Sequence, residues 1–581
     1  MVLTSSDATS PTLLILEFSL TAIVSAVSFA WPGIGKGLFR RVERLFAPLA
    51  RRKRVAVATV GLSVIVFRLA LLPLLPVPLP FVPDDFSFLL ASDTFVHGRL
   101  ANPTPAMWIH FESFHISMQP TYMSMYFPGQ GLLLAASTFV FHCPWVGLLI
   151  VSALMCAAIC WMLQAWLPPG WALLGGILAV LRLGVFSYWT NTYHAAGSLA
   201  ALGGALIFGA LPRLMKTARM RYALMIGLGI SILAITRPYE GVLLCLPLGF
   251  VLIRWLVKGP RRPSPSAAAG LVAAPLTLIL ATCAWFGYYD YRAFGNPLTP
   301  PYAVNRATYA MAPYYVWQRP RPEPAYRHAI FDSFYRKGEM GFYKEIHSFK
   351  GFVPYTMQKV LFAFLYFAGF ALIPPLLMVR RVFLDRRIRF LVVSVVVMAA
   401  GMVIEIYLLP HYIAPFTAAF YAIGLQMMRH LRFWKPEGRP MGQALVRLLV
   451  FSCVLMAGIR VAAQPLHFAP KEFPPSNWNF VWFGPQHWGV PREQVKEQLE
   501  KLPGKQLAIV RYEPKHEAFD EWVYNDADID DSKVIWAREM KPDENLELIR
   551  YYRDRTVWLV EPDQSPVRVT PYPMPIATAA Q

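Results

Sequence analysis

The chain has 581 residues, of which 56% are hydrophobic and only 15% charged, with a formal net charge of +20. Soluble domains carry about 25% charged residues, so a string of ordinary soluble domains is excluded; the repeated apolar runs are of the length, roughly 20 residues, that crosses a hydrocarbon core. The positive charge lies in short clusters between those runs, as in the cytoplasmic loops of membrane proteins, and no nucleic-acid-binding motif accompanies it, so no nucleic-acid partner is expected.

Twelve membrane helices are predicted, at about 12–31, 55–78, 145–166, 170–188, 193–212, 220–236, 239–257, 267–289, 357–378, 390–408, 412–428 and 443–462. The first run has its basic residues after it instead of before it, unlike a secretory signal, and reads as an uncleaved helix. The loop 32–54 carries eight Lys/Arg against one Glu. Further basic clusters end at Arg221 and Arg262, span Arg380 to Arg389, and end at Arg439. All five face the cytoplasm only if the segment 129–142, with roughly a dozen apolar residues, does not cross. That segment is expected to be a half-buried helix on the outer side, giving both termini an extracytoplasmic position. The domain plan is then 1–54, an extra helix with a basic loop; 55–462, a membrane domain with outer loops 79–143 and 290–356; and 463–581, an outer accessory domain.

The first outer loop opens with "VPDDFSFLLASDTFVHGRL". Pro83 followed by Asp84 and Asp85 reads as a helix start, and Gly98 as its end. A capping role explains one acid better than two adjacent ones at a membrane edge. Asp84 and Asp85 are therefore the catalytic candidates, with Asp93 a second acidic candidate. His110, Glu112 and His115 follow in "HFESFH", where the histidines are five apart instead of the four that zinc ligation on one helix face prefers, so no metal site is expected.

Other polar residues gather at the predicted outer helix ends: Tyr193 and His194 after the fourth run, Arg237 and Glu240 in "TRPYEG", and Glu405, His411 and Tyr412 near the tenth and eleventh. Arg182 lies about two-thirds of the way out along the fourth. Ionisable side chains at such depth are costly and often functional. A carboxylate can act as general base and an arginine can hold a phosphate bidentately. Tyr, Trp and His suit the flat face and hydroxyls of a sugar. His110, Glu112, His115, Tyr193, His194, Glu240, His411 and Tyr412 are the candidates for sugar or acceptor contact, and Arg237 and Arg182 for a lipid phosphate.

The six cysteines lie in or beside apolar runs without CxxC or metal spacing and read as small buried hydrophobes. The tail opens with "FPPSNWNFVWFGPQHW", then reads as a small α/β unit: "QLAIVRY", "KVIWARE" and "TVWLVEP" as strands, "PDENLELIRYY" as a helix. It holds no motif that carries chemistry.

An acidic pair just after a membrane helix, opening a long outer loop, resembles the GT-C-type integral membrane glycosyltransferases, in the branch of protein O-mannosyltransferases and lipid A aminoarabinose transferases. "YFPGQGLLLAASTFVF" is similar to the start of their short outer helix, with Phe127 where proline is common. The likeness covers roughly 55–460. It implies an α-helical polytopic fold and inverting transfer of a sugar from a polyprenyl-phosphate donor to an extracytoplasmic acceptor. Asp84 or Asp85 would be the base, and Arg237 or Arg182 would neutralise the departing phosphate. No cofactor is implied, and the partners are membrane lipid, the lipid-linked sugar and an acceptor the sequence does not name. A bacterial inner (plasma) membrane is the expected location. Two other classes share this composition: a transporter or flippase of a lipid-linked glycan, which calls for paired charges near mid-membrane, and a non-catalytic envelope-assembly protein, for which Asp84 and Asp85 are dispensable.

Overall fold

The computed structural model describes residues 12–194, 196–259, 261–463, 465–466 and 489–573. Two tail segments, the "FPPSNWNFVWFGPQHW" stretch and the last eight residues, lie outside them, as do residues 1–11. The chain opens with α1 (Thr12–Ala30), α2 (Lys36–Arg51), α3 (Lys53–Ala70) and α4 (Pro83–Val96). Three short strands, β1 (Asn102–Pro103), β2 (Ile116–Ser117) and β3 (Thr121–Ser124), form an antiparallel sheet with β3 central. A helical series follows: α5 (Pro128–Phe141), α6 (Pro144–Trp166), α7 (Pro169–Ala179), α8 (Gly197–Thr217), α9 (Met220–Ala234), α10 (Pro238–Lys258), α11 (Pro265–Phe294), α12 (Pro301–Tyr309), α13 (Phe349–Phe367), α14 (Arg389–Ile404), α15 (Thr417–Arg432) and α16 (Met441–Ala463).

Each of the twelve predicted segments falls on a helix, but with different ends and lengths. Among the described residues, six helices are long and apolar enough to cross a membrane: α1, α6, α8, α10, α11 and α16. A seventh joins α13 to the stretch Phe370–Leu384 across a 97° bend. The architecture is that of a helical integral membrane protein. The predicted second span stops at Ala70 instead of 78, because prolines at 73, 76, 78 and 80 deny the backbone its helical hydrogen bonds. The predicted span over 357–378 is broken at Gly369, whose φ of +61° suits only a residue without a Cβ. α6 is buried along most of its length between α3 and α8 and forms the centre of the main core. α5, as expected, is half-buried: Leu134 and Ala135 are enclosed and Phe139 and Val140 exposed.

The tail contains α17 (Val490–Glu500), β4 (Lys505–Val510), β5 (Val534–Arg538), α18 (Pro542–Tyr551), β6 (Arg555–Glu561) and β7 (Arg568–Pro571). The sheet order is β5-β4-β6-β7, the first three strands parallel and β7 antiparallel. All three predicted strands and the predicted helix are present, within a residue or two of their expected ends. This domain is docked on the segment that opens with α4. Phe86 stacks on Tyr524 with ring centroids 4.2 Å apart and planes 5° from parallel. Arg99 donates two hydrogen bonds to Asp528, at 2.8 and 2.7 Å, and the Tyr122 hydroxyl donates to the carbonyl of Asn525 at 2.8 Å.

Candidate active site

α4 begins where Pro83, with no N–H to satisfy, follows the extended Val82. The next two residues then point in different directions. Asp85 is fully buried: its Oδ1 accepts from the backbone N–H groups of Tyr193 (2.8 Å) and His194 (2.9 Å) and lies 3.0 Å from His194 Nδ1, and its Oδ2 accepts from the N–H of Phe81 (3.2 Å). A buried carboxylate is tolerated only when its lone pairs are satisfied in this way. Asp84 instead lines a cavity of about 920 Å³. Tyr126 donates its hydroxyl to Asp84 Oδ1, and His115 Nδ1 lies 3.3 Å from Oδ2. Burial works against ionisation of Asp84. The charges of His115 and His194 and the hydrogen bonds from His115 and Tyr126 outweigh it and hold the carboxyl well below the ordinary aspartate range.

The cavity's other walls come from distant segments. The turn between α9 and α10 supplies Arg237, whose guanidinium lies 4.6 Å from the centre of the Tyr412 ring, and Glu240 follows in the first turn of α10. Gly129, at the start of α5, packs against this turn. Its N–H donates to the carbonyl of Ile235 at 2.9 Å, and a Cβ there would meet Thr236 at 2.5 Å. α13 contributes Lys359, which donates to the carbonyls of Met402 (3.1 Å) and Glu405. His411 Nδ1 is 2.7 Å from the Tyr188 hydroxyl, and the Tyr188 ring is stacked on His194, centroids 5.4 Å apart. Asp85 thus reaches the cavity only through others: it anchors His194, which supports Tyr188, which holds His411.

One wall is a row of rings. Phe88 stacks on Tyr126 (4.5 Å), which neighbours Tyr302 (6.3 Å). Tyr302 stacks on Tyr314 (4.8 Å), followed by Tyr407 (5.9 Å), Phe342 (5.8 Å) and Tyr355 (4.8 Å), over which the Lys359 ammonium sits at 5.1 Å. Such a surface offers flat apolar faces with hydroxyls at their edges, the pairing that a pyranose presents in return.

Of the residues singled out by sequence, Asp84, His115, Arg237, Glu240, Glu405, His411 and Tyr412 converge on this cavity. The others sit elsewhere for identifiable reasons. Arg182 lies in a separate small pocket beside α1, ion-paired with Glu17 at 3.0 Å and donating to the carbonyls of Tyr366 and Leu365. Asp93 accepts from the N–H of Ala527 (2.7 Å), and His110 Nδ1 is 3.2 Å from the carbonyl of Arg538; both hold the tail domain. Glu112 is buried against the segment between α12 and α13, accepting from Tyr309 (3.1 Å) and facing Arg327 (3.3 Å) and His328 (3.2 Å). Tyr193 and His194 serve Asp85, and the Tyr193 hydroxyl also donates to the carbonyl of Pro78 at 2.9 Å. Residues outside the sequence-derived set, among them Lys359, Tyr302 and Arg306, line the cavity as well, and the tail domain adds Glu517 and Phe519 at its edge. Among the described residues, no group of three or more His, Cys, Asp or Glu side chains is placed to hold a metal ion.

No protein-family model and no curated protein matches this chain. Among solved structures it is similar to the oligosaccharyltransferase of Archaeoglobus fulgidus tethered with an acceptor peptide containing the NVT sequon, with a TM-score of 0.47 and 10% identity over 89% of this chain and 69% of that one. It is also similar to ArnT from Cupriavidus metallidurans in the apo state, with a TM-score of 0.44 and 10% identity over 86% of this chain and 91% of that one. A third is the archaeal oligosaccharyltransferase AglB from Archaeoglobus fulgidus in complex with an inhibitory peptide and a dolichol-phosphate, with a TM-score of 0.40 and 10% identity over 86% and 69%.

Proposed function

We propose that this chain is a GT-C-type membrane glycosyltransferase that moves a sugar from a polyprenyl-phosphate donor to an acceptor on the extracytoplasmic side, inverting the anomeric centre. The observation that carries this reading is that a carboxylate, Asp84, and two basic side chains, Arg237 and Lys359, line one cavity with an aromatic wall. In this reading the acceptor's nucleophilic atom attacks the anomeric carbon as the bond from that carbon to the phosphate oxygen breaks. The bonding pair leaves with the phosphate, and the acceptor's proton passes to Asp84. Arg237 lies where negative charge grows on the leaving phosphate, the place at which a fixed cation lowers the barrier. Asp85 is a positioning residue, acting through His194 and Tyr188 on His411. Arg182, committed to Glu17, has no part in the step.

The proposal places the site at the outer face of a twelve-crossing arrangement in a bacterial plasma membrane, with both termini extracytoplasmic. The polyprenyl-phosphate sugar is substrate, and no resident cofactor is invoked. The test is transfer by the purified chain from a panel of polyprenyl-phosphate sugars, comparing wild type with Asp84→Asn. Product from the wild type and a loss of at least about 100-fold in the variant is expected for a general base. Undiminished product from Asp84→Asn overturns the assignment.

A further inference from the structure

Arg237 and Lys359 are not the only cations in the cavity. α12 and the second outer loop bring Arg306, Arg321 and Lys337 to its wall. Arg306 is 4% exposed and largely committed: it donates to Glu339 at 2.7 Å and to the carbonyl of Ala312 at 2.6 Å. Arg321 is different. Its Nη1 is buried with no hydrogen-bond partner, and among the described residues it makes no ion pair. Its charge is opposed by that of the neighbouring Arg306. Glu339 is the one carboxylate shared between these guanidinium groups, since Asp332 faces Lys337 (3.8 Å) and Arg336, and Glu345 and Glu517 are exposed at the rim.

A buried guanidinium nitrogen left without an acceptor costs free energy that an incoming anion would recover. The planar fork of arginine is matched to the oxygens of a phosphate or carboxylate. Arg306 lies over the Tyr314 ring at 4.9 Å, which stacks on Tyr302, and Arg237 lies over the Tyr412 ring at 4.6 Å, so both cationic centres line the same ring-walled cavity. We propose that Arg321, backed by Arg306 and with Lys337 at the rim, forms a second anion subsite that takes a phosphate or carboxylate of the substrate pair while Arg237 holds the first. This rests on the glycosyl-transfer reading for the identity of the first anion. Its chemistry admits two sources: the second phosphate of a diphosphate-linked donor, or an acidic group on the acceptor.

The full chain in lipid nanodiscs is titrated with inorganic phosphate, with and without saturating polyprenyl monophosphate. Wild type is expected to bind phosphate in both states, and Arg321→Gln to bind it at least about tenfold more weakly. Arg321→Lys recovers part of the affinity. Lys337→Gln, whose side chain is 69% exposed and no threat to folding, is expected to weaken binding less but in the same direction. Absence of phosphate binding in the wild type, or equal binding in wild type and all variants, overturns the proposal. A wild-type preference for polyprenyl diphosphate over monophosphate that Arg321→Gln abolishes identifies the donor as the source. Phosphate binding without that preference identifies the acceptor. Arg237→Gln reports on the first site separately: polyprenyl monophosphate binding that survives this change refutes the donor assignment while leaving the second subsite standing or falling on its own titration.

Discussion

Asp84 and Asp85 share a peptide bond and face opposite ways: Asp84 meets Tyr126 and His115 at the cavity wall, whereas Asp85 is fully buried and grips the backbone N–H groups of Tyr193 and His194. An acidic pair that reads as one motif is therefore two devices, one facing the cavity and one anchoring the backbone.

Their substitutions should separate accordingly. Asp84→Asn is expected to lower kcat by at least about 100-fold, with a smaller loss of Tm than Asp85→Asn because the Asp84 side chain is 29% exposed. Asp85→Asn places an amide against donors that need an acceptor and should cost about 1–3 kcal/mol of stability. Transfer assays paired with thermal melting decide the matter; equal Tm values for the two variants contradict the division.

The depressed proton affinity of Asp84 sets a sign. Its native pKa lies below the unfolded value of about 3.9, so the ionised form stabilises the fold at neutral pH. That contribution is complete above the unfolded value and is lost progressively as pH falls from there through the depressed native value. In a wild-type minus Asp84→Asn infrared difference spectrum, the carboxylate band should persist at pH 4. Tyr126→Phe removes a donor to the charged form and should move protonation to higher pH. A protonated carboxyl band in the wild type at pH 4 contradicts this.

Arg182 should prove structural. Glu17 faces both Arg182 (3.0 Å) and Arg460 (3.5 Å), so Glu17→Gln leaves two guanidinium groups without their carboxylate. The expected cost is about 3–5 kcal/mol, read as a lower Tm, with polyprenyl-phosphate binding by the folded fraction unchanged. Loss of lipid-phosphate binding at unchanged Tm would return Arg182 to the donor site.

The tail domain should be held by rings more than by surface charge. Tyr524→Ala removes the stack on Phe86 and a buried side chain, at about 3–5 kcal/mol by analogy with buried aromatic truncation. Arg99→Ala breaks a partly exposed ion pair worth about 1 kcal/mol or less. Limited proteolysis checks the order: release of the tail fragment should be accelerated far more by Tyr524→Ala.

The helices were legible because apolar runs are local signals, though only six of those described, or seven with a bent pair, are long and apolar enough to cross a membrane; the tail's strands were legible because each is a short apolar run between turn residues. The α4 start was legible for the same reason, through Pro83 and its two acids. What sequence could not show is which of those acids faces inward, since that depends on the turn carrying Tyr193 and His194, more than 100 positions away. Asp93 and His110 look functional in sequence because their partners, Ala527 and Arg538, lie more than 400 positions later. Lys359 did carry a signal, a lone lysine in the apolar run "TMQKVLFAF", and intramembrane ionisable residues merit that weight. Arg321 carried none: in a loop rich in Arg and Pro it reads as solvated.

Gly129 leaves no clearance between the start of α5 and the turn that carries Arg237. The strand-and-helix segment that brings Tyr126 to Asp84 is thereby clamped to the segment that presents the guanidinium. The gap between Asp84 and Arg237 is consequently a built-in gauge, and a single methyl group at position 129 is the smallest wedge able to reset it.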